Sequence, residues 1–373
     1  MNPHARRLLA QVGSFALAGV LLYFAFRGAD LKAIGNALVK ANYAWLLPLI
    51  VVMLGSHWLR AWRWQVLIEG LPQDRTGQEA DIALVSPSAE AAASASTHPT
   101  VKQAFYSVMI GYMVNYAAPR LGEVARTANL SVQAGIGFSH LFGTVVVERI
   151  LDMVVLVAAL GSVFFLLLDR MATLDRLFIA PLAEQIGSFP TLIVGVAIVM
   201  LGLALAYMAR RMVLRQDSTA GRFWSERARP AMMAFNEGLL SLLRVRRWGV
   251  MVFTTISIWL LYLLAAYMPF EMLGMAAPFQ IDLLDAWSIM ILGAIGVAIP
   301  SPGGTGSYHY ITVQTLVHLF ALPHEAAATY AVLTHGAQLV LYVVVGVICL
   351  ALQGTSLDTL RRRTLTVEEG RRA

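Results

Sequence analysis

The chain has 373 residues, of which 58% are hydrophobic and only 13% charged. A soluble domain carries roughly 25% charged residues, so the composition excludes a water-soluble enzyme and gives an all-α polytopic membrane protein. The formal charge of +6 does not argue for nucleic acid, because the arginines flank apolar runs, where topology and anionic lipid account for them.

Residues 8–26 follow Arg6 and Arg7 and form a first apolar run. It is long and no small-residue cleavage pattern follows, so it reads as a retained span rather than a signal peptide. Residues 28–42 set Leu31, Ile34, Ala37 and Leu38 among Asp30, Lys32 and Lys40, the spacing of a small interfacial amphipathic helix. Residues 43–59 form a second span, closed by Arg60-Ala61-Trp62-Arg63-Trp64, which reads as an aromatic and basic interfacial anchor. His57 reads as interfacial too. Residues 71–100 are rich in Ala, Ser, Pro, Asp and Glu without apolar period, and read as a disordered cytoplasmic insertion.

Two short segments, 101–118 and 121–133, come next, then a long third span at 138–168. Residues 169–189 are a mixed interfacial stretch and 191–209 a fourth span. Residues 210–248 carry nine arginines with Phe223, Trp224 and Phe235, and read as a helix on an anionic membrane face. A fifth span at 249–273, a second pair of short segments within 283–322, a sixth span at 326–352 and a basic tail at 353–373 complete the chain. The single Cys349 lies in an apolar run, so there is no disulfide framework.

The paired segments are the informative feature. Residues 283–297 and 308–322 are each too short to cross a bilayer, since a spanning helix needs roughly 20 apolar residues. Between them Pro300-Ser301-Pro302-Gly303-Gly304-Thr305-Gly306 cannot continue a helix. The first pair is interrupted by Asn115-Tyr116-Ala117-Ala118-Pro119-Arg120-Leu121-Gly122-Glu123. Irregular backbone at membrane depth survives only where protein or a polar cavity satisfies it. Both pairs therefore read as re-entrant helical hairpins, giving about six full spans plus two hairpins. Broken helices in two halves of a chain point to an inverted-repeat transporter, here a first repeat at 43–168 and an inverted second at 249–352 within one membrane domain. Cytoplasmic N- and C-termini put 22 of the 28 Lys and Arg on the inner face, as the positive-inside rule requires.

Three polar clusters lie within these segments: Arg120 and Glu123 beside Asn115 and Pro119; Glu148, Arg149 and Asp152 near the cytoplasmic end of the third span; and the Pro300–Gly306 break with Ser301, Thr305, Ser307 and His309. Arg120 and Glu123 are i,i+3 and can pair, while Glu148 and Asp152 are i,i+4 and face one way. Each cluster also has a plain structural reading, as a pair that holds the hairpin, an interfacial lock between helices, or polar packing by His309, His318 and His335. Exposed amides at a helix break and forked arginines suit a phosphate. No metal-ligand spacing, nucleophile–base motif or nucleotide loop is visible.

Asn115-x3-Pro119-Arg120-x-Gly122-Glu123-x2-Arg126, Glu148-Arg149-x2-Asp152 and Pro300-Ser301-Pro302-Gly303-Gly304-x-Gly306 together resemble the motifs of the flippase-like family, the membrane region of lysylphosphatidylglycerol synthase/flippase. Arg60-x2-Arg63-Trp64 resembles its early Arg-Trp motif. The resemblance implies a multi-pass protein of the bacterial or archaeal inner membrane that moves, or helps move, a lipid between leaflets. The candidate substrate-binding residues are those of the first three motifs, Arg126 included, together with His309, and no cofactor is expected. The expected partners are a lipid with an anionic head group and anionic membrane lipids, not nucleic acid; a homodimer stays open. Two departures bear on cargo. No aminoacyl-transferase domain is seen, so lysyl transfer is not expected, and Ser307-Tyr308-His309-Tyr310 stands where the family often has an acid, which weakens lysylphosphatidylglycerol as cargo. Two alternatives remain open, an accessory scaffold for a lipid or envelope synthase and a membrane-embedded lipid-modifying enzyme.

Overall fold

A computed structural model describes residues 3–71, 99–118, 121–168, 229–299 and 301–354. The expected insertion, the stretch 169–189, the fourth span, residues 210–228 of the basic segment and nearly all of the tail lie outside them, as do Pro119, Arg120 and Pro300. Among the described residues the protein is entirely helical. The helices are α1 (Pro3–Phe26), α2 (Leu31–Val39), α3 (Leu46–Ile68), α4 (Val101–Ala117), α5 (Gly122–Ala134), α6 (Phe138–Leu166), α7 (Arg229–Leu240), α8 (Trp248–Met272), α9 (Leu283–Ala298), α10 (Ser307–Leu319) and α11 (His324–Leu352).

Among the described residues four helices are long and apolar enough to cross a membrane: α3 with the turn before it (Tyr43–Ile68), α6, α8 and α11. The bent pair α1–α2, which turns by 87°, makes up to five. Asp30 starts α2 by accepting from the Lys32 and Ala33 amides, the usual way an N-cap satisfies free donors.

α3 and α8 run antiparallel. Asn42 N–H donates to Met272 O at one end, and Arg247 Nη2 meets Glu69 at 2.6 Å at the other. This frame shows where each hairpin enters. The first (α4–α5) enters from the Glu69 end, where Ile68, Leu71, Val101 and Ala104 share one apolar cluster. Its start is fixed by a Thr100–Gln103 capping box, which satisfies two orphan amides reciprocally. The second (α9–α10) enters from the Met272 end, started by an Asp282–Asp285 capping box and packed near Met275, Ile281 and Ile34. The two hairpins therefore enter from opposite ends of the bundle.

Their tips meet in the middle. Gly303, at φ +57°, lies so close under the Tyr116 ring that a Cβ there would overlap it. Within the first hairpin, Gly111 and Gly122 bring α4 and α5 into backbone contact.

Three expectations are corrected. Arg60–Trp64 is not an interfacial anchor: α3 runs on to Ile68, and Arg60 and Arg63 are buried inside the bundle, where carboxylates of α6 compensate their charge. His57 is likewise buried, 1% exposed, not interfacial. The Glu148–Arg149–Asp152 group of α6 is not near a helix end, because Asp152 is the midpoint of this 29-residue helix. The N-terminal third of α6 is covered by α7, with Gly143 and Gly238 in close backbone contact and His140 Nε2 3.1 Å from Glu237.

Candidate functional site

The site is built from four arginines and three carboxylates on α3, α5 and α6. Arg60 and Arg63 are i,i+3 on α3 and so share a face. Arg60 Nη1 donates to Asp152 Oδ2 at 2.9 Å and Arg63 Nη2 to Asp152 Oδ1 at 2.6 Å. Both also approach Glu148, at 4.0 and 3.6 Å. The outer nitrogens are held by α8, with Arg60 Nη2 donating to the Tyr262 hydroxyl at 2.9 Å and Arg63 Nη1 to Thr255 Oγ1 at 3.3 Å.

α5 adds the other side. Arg126 Nη2 lies 2.8 Å from Glu148 Oε2, and its guanidinium stacks 4.8 Å from the Trp64 ring centroid. Trp64 is itself fixed by donating to Thr144 Oγ1 at 2.9 Å. The Arg126–Glu148 approach is an ion contact without hydrogen-bond alignment. Among the described residues both Glu148 oxygens, and Nε of Arg60, Arg63, Arg126 and Arg149, have no hydrogen-bond partner. At the cluster's edge Arg149 Nη2 donates to Glu123 Oε1 at 2.9 Å, with Nη1 3.7 Å from Asp152. Glu123 stands in the first turn of α5, where the helix dipole favours an anion.

The second cluster lies at the other tip. Ser301 and Ser307 hydroxyls are 2.8 Å apart, Thr305 Oγ1 is 3.1 Å from His335 Nε2, and Tyr308 and Thr334 hydroxyls are 3.0 Å apart. His309 and His335 rings are 4.8 Å apart, and His309 Nδ1 has no partner. Gly304 and Gly306, at φ +79° and +84°, carry the chain between Pro302 and α10, and Gly306 packs against the Ala18 carbonyl of α1.

A column of polar rings joins the clusters. His57, one turn before Arg60, lies 4.5 Å from Tyr112 and 4.9 Å from Tyr342. Tyr342 is 6.3 Å from Tyr116, and Tyr116 is 5.8 Å from His335. Among the described residues no hydrogen bond or ion pair links Arg149 directly to the Gly-rich break.

The family model described as Lysylphosphatidylglycerol synthase TM region matches residues 11–346. The chain belongs to this family. Comparisons with curated proteins and with solved structures found no match. The match takes in both hairpins and every residue of the two clusters, and it covers the membrane region of the synthase.

Against this family frame the motif residues divide. Glu123, Arg126, Glu148, Arg149 and Asp152 come together in the charged cluster. Ser301, Pro302, Gly303, Gly304, Gly306 and His309 form the other tip. Asn115 and Gly122 shape the first hairpin: Asn115 Oδ1 accepts from the Gly122 amide at 2.8 Å and so caps α5. Pro119, Arg120 and Pro300 lie outside the described residues; Glu123, expected to pair with Arg120, is held by Arg149. Arg60, Arg63, His57, Tyr112, Tyr342 and His335 were missed as site residues. The sequence signals were the Arg60-x2-Arg63-Trp64 motif and a polar stripe, His57–Arg60–Trp64, at i, i+3, i+7.

Proposed function

We propose that this protein is a lipid transporter that moves a lipid with an anionic, phosphate-bearing head group between leaflets. The observation that carries the reading is the excess of guanidinium over carboxylate in mid-helix. Among the described residues the carboxylates that Arg60, Arg63, Arg126 and Arg149 face are Glu123, Glu148 and Asp152. Ionisable groups at this depth are expensive and serve substrate pathways, and forked arginines suit a phosphate. The cargo class is a phospholipid or a polyprenyl-phosphate-linked lipid.

The hairpins entering from opposite ends, with tips in contact, support an inverted-repeat mechanism in which one half rocks against the other around a central site. In this reading the ring column from His57 to His335 is the closed passage between the clusters. The termini are cytoplasmic, and the protein works in the cell membrane without chemistry of its own on the lipid.

The test is lipid movement in liposomes holding the purified protein, with fluorescent phosphatidylglycerol, phosphatidylcholine and polyprenyl-phosphate probes. Wild type moves the anionic probes, and Arg149→Gln and Gly304→Leu, both folded, do not. Folded wild type that moves none of the probes overturns the transport reading in favour of a scaffold for a lipid synthase.

A further inference from the structure

Arg149 stands on the seam between two faces of α6. Successive helical residues are 100° apart, so Glu148 and Asp152 fall on one side of Arg149, and Ile150, Met153, Val154 and Val157 on the other. The carboxylate side is closed by α3 and α5, and the side chains of Arg60, Arg63, Arg126 and Glu148 are 4% exposed or less. The other side is open. Ile150, Met153, Val154 and Val157 are each more than half exposed, and the Arg149 side chain itself is 42% exposed. The cluster thus has an open edge, which lies beside an apolar helix face. A face that only met lipid tails would carry no charge, given what an arginine costs at that depth.

We infer that this seam is a lateral port: a lipid lays its chains along Ile150, Met153, Val154 and Val157 and hands its phosphate to Arg149 without leaving the bilayer. The inference rests on the transport reading above and adds to it the place of entry and the sign of the head group. Phosphate meets the Arg149 guanidinium alongside Glu123, which keeps its 2.9 Å contact, so neither the arginine nor the carboxylate is left unpaired. Among the described residues each carboxylate already has an arginine within 2.9 Å, and Arg60 and Arg63 share Asp152, so the surplus charge is one guanidinium. The cluster behind the port therefore holds spare positive charge and no spare carboxylate. It accepts a head group whose net charge is negative and disfavours one that adds an amine, such as an aminoacylated phosphatidylglycerol.

The experiment is photo-crosslinking in proteoliposomes with phosphatidylglycerol carrying a diazirine on its acyl chain, the labelled peptides being mapped by mass spectrometry. Expected are labels on Ile150, Met153, Val154 and Val157, lowered by about tenfold or more in Arg149→Glu and retained in Arg149→Lys. Both variants are first shown to unfold at the wild-type temperature. Unlabelled phosphatidylglycerol or polyprenyl phosphate competes, and whichever does so at lower concentration identifies the source of the phosphate. Phosphatidylcholine and aminoacylated phosphatidylglycerol compete weakly. Labels spread equally over the lipid faces of α8 and α11, unchanged by Arg149→Glu, overturn the port, and equal competition by the aminoacylated lipid overturns the charge selection. Labelling at α6 without lipid movement in the same vesicles keeps the port and fails transport; movement without labelling at α6 does the reverse.

Discussion

Arg63 Nη2 and Asp152 Oδ1 meet at 2.6 Å across the α3–α6 contact, with the arginine side chain fully buried and the aspartate at the midpoint of its helix. A buried pair gains little over an apolar replacement, but losing one partner strands a charge, at ~3–5 kcal/mol. Asp152→Ala, which leaves Arg60 and Arg63 only the more distant Glu148, is therefore expected to destabilise the protein by ~3–5 kcal/mol. Glu69→Ala, which breaks the exposed Arg247 pair of the same length, is expected to change stability by ~1 kcal/mol or less. Denaturant unfolding in detergent measures both. Equal losses would mean that water reaches Asp152 and that the cluster is not a low-dielectric site.

The contact between Tyr116 and Gly303 makes a second prediction, about coupling between the hairpins. A side chain at 303 meets two penalties: the left-handed backbone, ~1–2 kcal/mol, and the overlap with Tyr116. Tyr116→Ala removes the second and leaves the first. Gly303→Ala is expected to be severely destabilising alone and to fall to ~1–2 kcal/mol in the Tyr116→Ala background. A double-mutant cycle checks this. Strict additivity would show that the two tips do not touch.

Much of the fold was legible in local pattern. Prolines and glycines in a run, and segment lengths below a span, placed both hairpins within a few residues of α4–α5 and α9–α10. The i,i+4 spacing of Glu148 and Asp152 gave their shared face. What the sequence hid was long-range pairing. The arginines that answer Asp152 lie 89 and 92 positions away, and in one dimension they look like the basic end of a span, because charge usually marks the water interface. The ring cluster of His57, Tyr112 and Tyr342 draws on three helices, and no spacing rule connects them. Asn115 looked like a ligand because a polar residue at a helix break suits both binding and capping; only the 2.8 Å bond to the Gly122 amide assigns it to the cap.

That cap yields a third prediction. Gly122 has no room for a Cβ, which would press on the Gly111 carbonyl and the Asn115 amide. Gly122→Ala is expected to separate α4 from α5 and to abolish lipid movement with a stability loss above ~2 kcal/mol. Asn115→Ala removes only the cap and is expected to lose ~1 kcal/mol. Thermal unfolding in detergent ranks the two. If Gly122→Ala is the milder, the helices do not meet at these backbones.

His57 separates stability from function. Its ring is 1% exposed, and neither nitrogen has a hydrogen-bond partner. Each unsatisfied buried polar atom costs ~1–3 kcal/mol. Phenylalanine keeps the ring between Tyr112 and Tyr342 and removes both atoms, so His57→Phe is expected to raise stability by at least ~1 kcal/mol. If the ring column is the passage for a polar head group, the same substitution slows lipid movement, because a donor one turn from Arg60 is gone. Such a trade of activity for stability is the mark of a residue kept for function. Unfolding and scrambling assays on one preparation decide it. A stabler variant with unchanged transport makes His57 a packing residue and moves the passage away from the column, whereas a less stable variant shows that its nitrogens are satisfied.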